Sequence, residues 1–361
     1  MGIFDEFLKD GESVFINELA LSYEYVPKLV PYREMQQKRI ASCIAPLFSE
    51  RSGRNIIVHG PPGVGKTVAT KHILNELEEK TDEILPIYIN CWQNNTSYKI
   101  TLAMCELIEY RFTHNKNTSE LFDIVANRLN KIKPVFVFDE IDKCEDFDFL
   151  YLILQKIHMK AVVILTNYKD FIADIDMRIR SRLVPEMLEF KPYNAQEISG
   201  ILTQRTELAF VRGVWSSDAL TQVCEKTQSA NDLRVGLYLL HESGLCAEEE
   251  SSRNILAKHV ARSITKLDDF KIKNKEELTD NTQEILEVIK QSEGETKIGD
   301  LFKEYVEQTK DEMSYKTFTR KIAKLEEGKF ISVRKTDGGA QGNTKFISYN
   351  THTHTKTLDE F

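Results

Sequence analysis

The segment GPPGVGKT at positions 60–67 constrains the fold of this chain more than any other feature. It matches G-x-x-x-x-G-K-[ST] in full and lies between an apolar run and a helical pattern, the context that this motif requires. Its glycines let backbone N–H groups close around phosphate oxygens, and the dipole of the following helix favours the negative charge. We expect Lys66 to reach the β- and γ-phosphates of a nucleotide and the Thr67 hydroxyl to ligate Mg²⁺. The predicted phosphate-binding segment comprises Gly60, Pro61, Pro62, Gly63, Val64, Gly65, Lys66, Thr67 and Val68.

Short apolar runs alternate with helical patterns between residues 55 and 190. The runs are nearly all apolar, as expected for strands that are buried on both faces of a parallel sheet. This pattern predicts an α/β domain with a parallel five-stranded sheet. The predicted strands are 55–59, 86–90, 134–138, 161–165 and 186–190.

Polar side chains follow two of these strands. Asp139 and Glu140 end the run 135–140, at the strand edge where ligands of open α/β sheets bind. We expect Asp139 to hold Mg²⁺ through water and Glu140 to activate the water that attacks the γ-phosphate. Asn167 closes the run 161–166 and could contact both γ-phosphate and water, although asparagine is also a common turn residue.

The signal for strands disappears after residue 192, and residues 193–275 predict a small helical domain. A third domain is expected at 282–350, with three helices followed by two strands around a glycine-rich loop at 337–339. This order predicts a winged helix-turn-helix. Residues 1–192 then form the nucleotide-binding domain, and the last residues, 351–361, are expected to be disordered.

Charge is distributed unevenly along the predicted third domain. Residues 314–350 contain eight Lys/Arg and three Asp/Glu, a net charge of +5, whereas residues 282–313 have a net charge of −5. One predicted helix, opened by Ser314 as N-cap, has Phe318, Ile322 and Leu325 on one face and cationic side chains on another. A basic helix and wing fit the grooves of DNA, but a domain used only for protein contacts remains an alternative. The candidate DNA-binding residues are Lys316, Thr317, Arg320, Lys321, Lys324, Arg334, Lys335 and Lys345.

The composition excludes several classes of protein. The net charge of −8 argues against a histone-like coat for nucleic acid, so any DNA contact requires a local basic patch. The six cysteines lack the paired spacing of a zinc knuckle, and reduced, mostly buried thiols are expected. The acidic N-terminus lacks an apolar signal core and the apolar runs are too short for a membrane span, so we expect a cytoplasmic, nucleoid-associated protein without a membrane partner.

These motifs in this order resemble an AAA+ ATPase and, more narrowly, the archaeal origin-recognition/cell-division-control initiators. The resemblance covers about residues 18–350 and adds three segments to those above. They are YVP with PYRE at 25–34, FKPY at 190–193 and NDLR at 231–234. It implies a helical lid at 193–275 and a C-terminal winged helix that binds DNA.

The resemblance also implies roles for further residues. Val26, Pro27 and Arg33 lie in the segment that packs on the adenine in this family, and Tyr193 lies at the entry into the lid. Arg234 would reach the γ-phosphate from the lid. An arginine finger, acting on the nucleotide of a neighbouring subunit, would come from Arg178, Arg180 or Arg182; we favour Arg182, and a solvated or DNA-facing basic loop is the alternative.

The function expected from this resemblance is an ATP-dependent DNA replication initiator, switched by ATP and ADP and using Mg²⁺. It would bind double-stranded origin DNA and recruit or load the minichromosome maintenance helicase, with other initiator subunits or a second copy as further partners. The alternatives are a signalling ATPase that combines a P-loop domain with a winged helix, and a subunit similar to clamp loaders. The β-hairpin predicted at 330–349 disfavours the helical collar with which clamp-loader subunits usually end.

Overall fold

A computed structural model describes residues 13–169, 171–276, 280–292, 294–309, 313–327, 331–336 and 344–349. The chain divides into two compact units, Met1–Ile264 and Thr265–Phe361, and each is described by itself. The division falls within the segment predicted as lid, 193–275. The predicted disordered tail 351–361 and the predicted wing tip 337–339 lie outside the described residues.

A five-stranded sheet forms the centre of the first unit. All its neighbouring strands are parallel, in the order β2-β3-β4-β1-β5, which confirms the predicted fold class. Every residue of β1, β3 and β4 is buried, including the polar residues His59, Lys133, Asp139 and Thr166 at the strand ends. The strand bounds are β1 Ile56–His59, β2 Ile84–Asn90, β3 Lys133–Asp139, β4 Ala161–Thr166 and β5 Glu186–Glu189.

Helices cover both faces of this sheet, and each face has its own hydrophobic cluster. Local sequence determines where several helices of the first unit begin. Asn117 with Glu120, and Asn194 with Glu197, form reciprocal capping boxes. The helices beside the sheet are α1 Glu34–Ile44, α2 Lys66–Lys80, α3 Ser97–Leu107, α4 Thr118–Leu129, α5 Asp148–Lys156, α6 Phe171–Asp174 and α7 Met177–Leu183, and those in the predicted lid are α8 Ala195–Ala209, α9 Ser217–Ala230, α10 Leu233–Glu249 and α11 Ala257–Glu276.

The N-terminal segment packs on the predicted lid. The N–H groups of Ile16 and Asn17 donate to the Ala209 carbonyl, and the rings of Phe15 and Phe210 lie 4.7 Å apart. The chain then continues to α1, which packs against α2 next to the sheet. Residues 22–33 therefore connect the lid to the sheet domain along one side of the cleft described below.

In its described residues the second unit contains the end of α11, from Thr265 to Glu276, and the helices α12 Asp280–Gln291, α13 Ile298–Thr309 and α14 Tyr315–Glu327. Its three-stranded antiparallel sheet has the order β6-β8-β7, with β6 Thr296–Lys297, β7 Ile331–Thr336 and β8 Thr344–Tyr349. The sequence predicted β7 and β8 but not the two-residue β6. Ser314 accepts a hydrogen bond from Thr317 N (3.2 Å), which confirms the predicted N-cap of α14.

The core of this unit contains the predicted apolar face of α14. Phe318, Ile322 and Leu325 are buried, together with Tyr305 from α13. Phe318 lies 5.2 Å from Phe302 and 5.6 Å from Tyr305, measured between ring centroids. None of the helices in the described ranges combines the length and apolar character that a membrane crossing requires.

Candidate nucleotide site

A cleft in the first unit brings together most of the residues that the motifs singled out. It encloses about 1080 Å³ of space, part of it open to solvent. The sheet domain contributes one side of the cleft and α8 and α10 contribute the other. The predicted residues in its lining are Pro27, Pro62, Gly63, Val64, Gly65, Lys66, Thr67, Val68, Asp139, Glu140, Asn167, Tyr193 and Arg234.

The loop between β1 and α2 has the backbone of a phosphate-binding loop. Gly63 and Gly65 have φ angles of 75° and 85°, a region that favours glycine. Lys66 Nζ donates to the carbonyls of Gly60 (2.7 Å) and Pro61 (2.9 Å). It also donates to Asn167 Oδ1 (2.9 Å), so Asn167 lies beside the lysine rather than in a remote turn.

Burial lowers the pKa of Lys66 to about 8, and the carboxylates of Asp139, Asp142 and Glu140 oppose this shift. A buried ammonium gains more from a phosphate than an exposed one would, because its interactions with charge are less screened. The lysine is thus placed for binding an anion at the N-terminus of α2.

Asp139 is held by two hydroxyl groups. Thr67 Oγ1 and Tyr88 OH each donate to Asp139 Oδ2 at 2.7 Å. Burial raises the pKa of Tyr88, which keeps its hydroxyl protonated as a donor. Hydroxyl and carboxylate oxygens are the ligands that Mg²⁺ prefers, so the donor set of Thr67 and Asp139 fits the predicted metal.

Glu140 follows β3 in a left-handed conformation, with φ of 54°. Burial raises its pKa, and the neighbouring carboxylates of Asp139 and Asp142 raise it further. Asp142 accepts hydrogen bonds from Thr166 Oγ1 (3.1 Å) and Asn167 N (3.2 Å), which joins the turn after β3 to the end of β4. Two polar strand ends are thereby fixed next to each other.

The cleft is also lined by residues from the segment before α1, from the start of the lid and from α8 and α10. Pro27 and Tyr193 were predicted there through the resemblance. Further lining residues were not predicted, because the sequence pattern around them has no signature of a nucleotide contact. These are Ser22, Tyr23, Val30, Pro31, Ile201, Gln204, Arg205, Leu233 and Leu237.

Four residues predicted to contact the nucleotide do not line the cleft: Val26, Arg33, Gly60 and Pro61. Arg33 is buried and donates to the carbonyls of Val64 (3.2 Å) and Lys191 (2.7 Å). Its guanidinium lies 3.8 Å from the centroid of the Tyr193 ring. Arg33 therefore supports the phosphate-binding loop and Tyr193 from behind, and Gly60 and Pro61 contribute the carbonyls that bind Lys66.

The three candidate finger arginines lie on α7, outside the cleft. Arg178 is paired with Asp176, and Arg180 donates to the carbonyls of Ala173 and Ile175. Arg182 is exposed, and its guanidinium lies 5.2 Å from the Tyr151 ring centroid. A position outside the cleft of its own chain is what a residue acting on a neighbouring subunit requires.

The candidate DNA-binding residues lie on α14 and on the strands of the second unit. Arg320 is exposed, Thr317 shares a hydrogen bond with Ser314, and Arg334 forms an ion pair with Glu295 (2.6 Å). Lys335 and Lys345 are opposite each other in the β7–β8 register. The side chains of Lys316, Lys324, Lys335 and Lys345 lie outside the described part of the structure, and Lys321 is on α14.

Comparisons with known proteins give consistent results. Residues 50–170 match the family model described as an AAA domain, and residues 199–265 match the Cdc6 AAA+ ATPase-type lid domain. The chain is 31% identical over 282 residues to ORC1-type DNA replication protein 1 of Sulfurisphaera tokodaii, covering 74% of this chain and 71% of that one. It is 28% identical to ORC1-type DNA replication protein 3 of Haloarcula marismortui, covering 96% of both.

Solved structures show the same likeness. The structure of the Aeropyrum pernix Orc1 protein in complex with DNA superposes with a TM-score of 0.73 at 25% identity, covering 94% of each chain. The crystal structure of Cdc6p from Pyrobaculum aerophilum has a TM-score of 0.65 at 18% identity, which supports the fold.

Proposed function

The chain belongs to the family of ORC1-type DNA replication proteins, and from this premise we propose that it is an ATP-switched initiator that binds origin DNA. As a member of this family it is an AAA+ ATPase with a Cdc6-type lid. The proposal rests on one observation: the same chain combines the phosphate-binding cleft with a C-terminal basic helix and hairpin. Family membership favours this function over the signalling and clamp-loader alternatives.

The residues of the cleft suit binding and slow hydrolysis of ATP. Lys66 and the loop N–H groups would bind the β- and γ-phosphates, and Arg234 would contact the γ-phosphate from the lid. Thr67 and Asp139 would hold Mg²⁺, whose chemical contribution is to neutralise phosphate charge. Glu140, with its raised pKa, would orient the attacking water and take up its proton, while Asn167 would fix that water beside Lys66.

The second unit would supply the contacts to double-stranded DNA. The cationic face of α14 would enter a major groove, with phosphate contacts from lysines and base contacts from Thr317 or Arg320. The strand residues Arg334, Lys335 and Lys345 would lie along the adjacent backbone. In the ATP-bound form the protein would recruit or load the minichromosome maintenance helicase, and Arg182 would complete the site of a neighbouring initiator subunit or second copy.

Equilibrium binding to ATP and to labelled duplex DNA tests this proposal. We expect the unsubstituted protein to bind both, and Lys66→Ala to lose tight nucleotide binding because the buried cation is removed. Lys80→Ala is the matched control, since Lys80 ends the same helix and is exposed. A protein that binds no duplex DNA even at low salt would contradict the initiator function.

A further inference from the structure

Asp232 is a residue of the cleft region for which neither a motif nor the resemblance specifies a role. It is the N-cap of α10, because its Oδ1 accepts a hydrogen bond from Arg234 N (2.9 Å). A carboxylate is among the best N-caps, since it accepts from an N–H that has no partner within the helix. The main chain of α10 thus fixes the position of the Asp232 carboxylate.

The same carboxylate binds the side chain of Arg234. Arg234 Nε lies 3.0 Å from Oδ1 and 3.1 Å from Oδ2, and Nη2 lies 2.5 Å from Oδ2. Two of the three guanidinium nitrogens are therefore committed to Asp232. The third, Nη1, has no hydrogen bond to any residue in the described ranges, and Arg234 lines the cleft.

Asp232 also packs directly against the phosphate-binding loop. A Cβ atom built on Gly63 would lie 2.0 Å from Asp232 Oδ1 and 2.5 Å from its Cγ. The carboxylate thus occupies the space beside the Gly63 backbone that a side chain at this position would fill. Since Gly63 belongs to the sheet domain and Asp232 to the lid, the Asp232–Arg234 pair lies directly beside the loop that is expected to hold the phosphates.

We propose that Asp232 is a positioning residue that holds the guanidinium of Arg234 for the γ-phosphate and thereby sets the preference of this protein for ATP over ADP. This inference rests on the proposed ATP-switched function. A guanidinium clamped by a fixed carboxylate loses little rotational freedom when it binds a phosphate, so more of the charge-assisted bond contributes to affinity. ADP has no γ-phosphate and gains nothing from this arrangement.

A second Asp-x-Arg segment in the same unit provides a matched control. Asp176 is the N-cap of α7 and binds Arg178 through N (2.7 Å), Nε (3.1 Å) and Nη2 (3.0 Å). Neither Asp176 nor Arg178 lines the cleft. In both places the aspartate caps a helix and binds the arginine two residues later. Of the two aspartates, Asp232 is the one that lies against the phosphate-binding loop.

The test measures dissociation constants for ADP and for an ATP analogue with an imido β–γ bridge, by calorimetry, so that turnover is not the readout. Asp232→Asn keeps the cap and removes the charge that orients Arg234. We expect the preference for the triphosphate to fall about tenfold, the loss typical of one hydrogen bond between charged groups. Arg234→Ala should lose the same preference, and the double variant should lose no more, because the two residues act as one unit.

Asp176→Asn should leave the preference unchanged. Asp232→Ser, which also retains a capping oxygen, should behave as Asp232→Asn does, and thermal unfolding verifies that both variants fold. Suppose that Arg234→Ala loses the preference for the triphosphate while the folded Asp232 variants keep or increase it. This result would overturn the role of Asp232 and leave the proposed function intact. A lack of nucleotide binding in the unsubstituted protein would overturn the proposed function as well.

Discussion

Tyr88 donates a hydrogen bond to the predicted magnesium ligand Asp139, although it belongs neither to the segment 60–67 nor to the run 135–140. Its hydroxyl and that of Thr67 share Asp139 Oδ2, so the carboxylate has a fixed orientation. Tyr88→Phe keeps the ring and removes one of these bonds. We expect Mg²⁺ affinity to fall by about tenfold, the effect typical of losing an outer hydrogen bond to a metal ligand.

The measurement is the Mg²⁺ dependence of nucleotide binding, compared with binding in excess chelator. Nucleotide affinity without Mg²⁺ should be unchanged in Tyr88→Phe, because the phosphate-binding loop is intact. Tyr98→Phe, at an exposed position on α3, serves as control. Equal Mg²⁺ dependence in all three proteins would show that Tyr88 does not position Asp139.

Glu140 carries the predicted water-activating role, and its raised pKa moves it towards a value useful for a general base. Glu140→Gln should retain bound ATP and slow its hydrolysis by about a hundredfold or more, as expected when a general base is removed. Single-turnover hydrolysis and ATP binding are measured on the same protein. Glu145→Gln, an exposed carboxylate in the next turn, is the control; if Glu140→Gln hydrolyses ATP at the normal rate, another residue activates the water.

The sequence predicts some of these residues far better than others, for a physical reason. Lys66, Thr67 and Asp139 are specified by short-range patterns that encode one turn or one strand end. Tyr88 and Asp232 meet their partners only after the chain has folded, 51 and 169 positions away in sequence from Asp139 and Gly63. A hydroxyl in a strand or an aspartate before a helix has no local signature of such a contact.

At the scale of secondary-structure elements, the close crossing of α10 with α8 and α9 depends on Gly236. A Cβ at this position would lie 2.7 Å from Thr227 Oγ1 and 2.8 Å from Leu202 Cδ2. We expect Gly236→Ala to lower the free energy of unfolding by about 1–3 kcal/mol, since overpacking exceeds the gain in helix propensity.

Calorimetric unfolding measures this loss. Gly299→Ala on α13 is the control, because a Cβ there meets nothing within 4 Å and the helix-favouring change should be neutral or stabilising. If Gly236→Ala is as stable as the control, then the helices of the lid move apart without cost and the crossing is not tightly packed.

The helix α14 carries the proposed contacts to DNA, and Arg320 is its exposed arginine. If Arg320 contacts a phosphate, Arg320→Ala should weaken binding to all duplexes and reduce the salt slope by about 1; if it reads a base, sequence preference should relax instead. Titrations at several salt concentrations distinguish these results. Lys303→Ala, which removes one exposed charge from α13, is the control, and no difference between the two variants would remove α14 from the interface.

Elements were predictable in proportion to their length and periodicity. The five strands of the parallel sheet and the helix α14 had clear apolar patterns, and the structure confirms them within one or two residues at most ends. β6 has only two residues, Thr296 and Lys297, and such a strand has no period to detect. Residues 265–275 fall within the segment 193–275 that was predicted to be helical, and they continue the helix α11 to Glu276.

At the scale of the whole molecule, positive and negative charges are distributed unevenly along the chain. The protein has a net charge of −8, yet residues 314–350 have a net charge of +5. Affinity for DNA would therefore come from a small basic surface and depend steeply on salt, while the acidic remainder limits non-specific coating of DNA. The expectation is a protein that selects sites instead of covering the duplex.

Sequencing of retained genomic DNA tests whether this chain binds particular origin sequences. The purified protein is incubated with sheared genomic DNA of its source at moderate salt, with ATP or ADP, and the retained fragments are sequenced. We expect a few sharp loci that share a repeat, and we expect Arg320→Ala to bind them more weakly or less selectively. Uniform retention of all fragments, or retention of no DNA by a protein that binds ATP normally, would contradict binding to particular origin sequences.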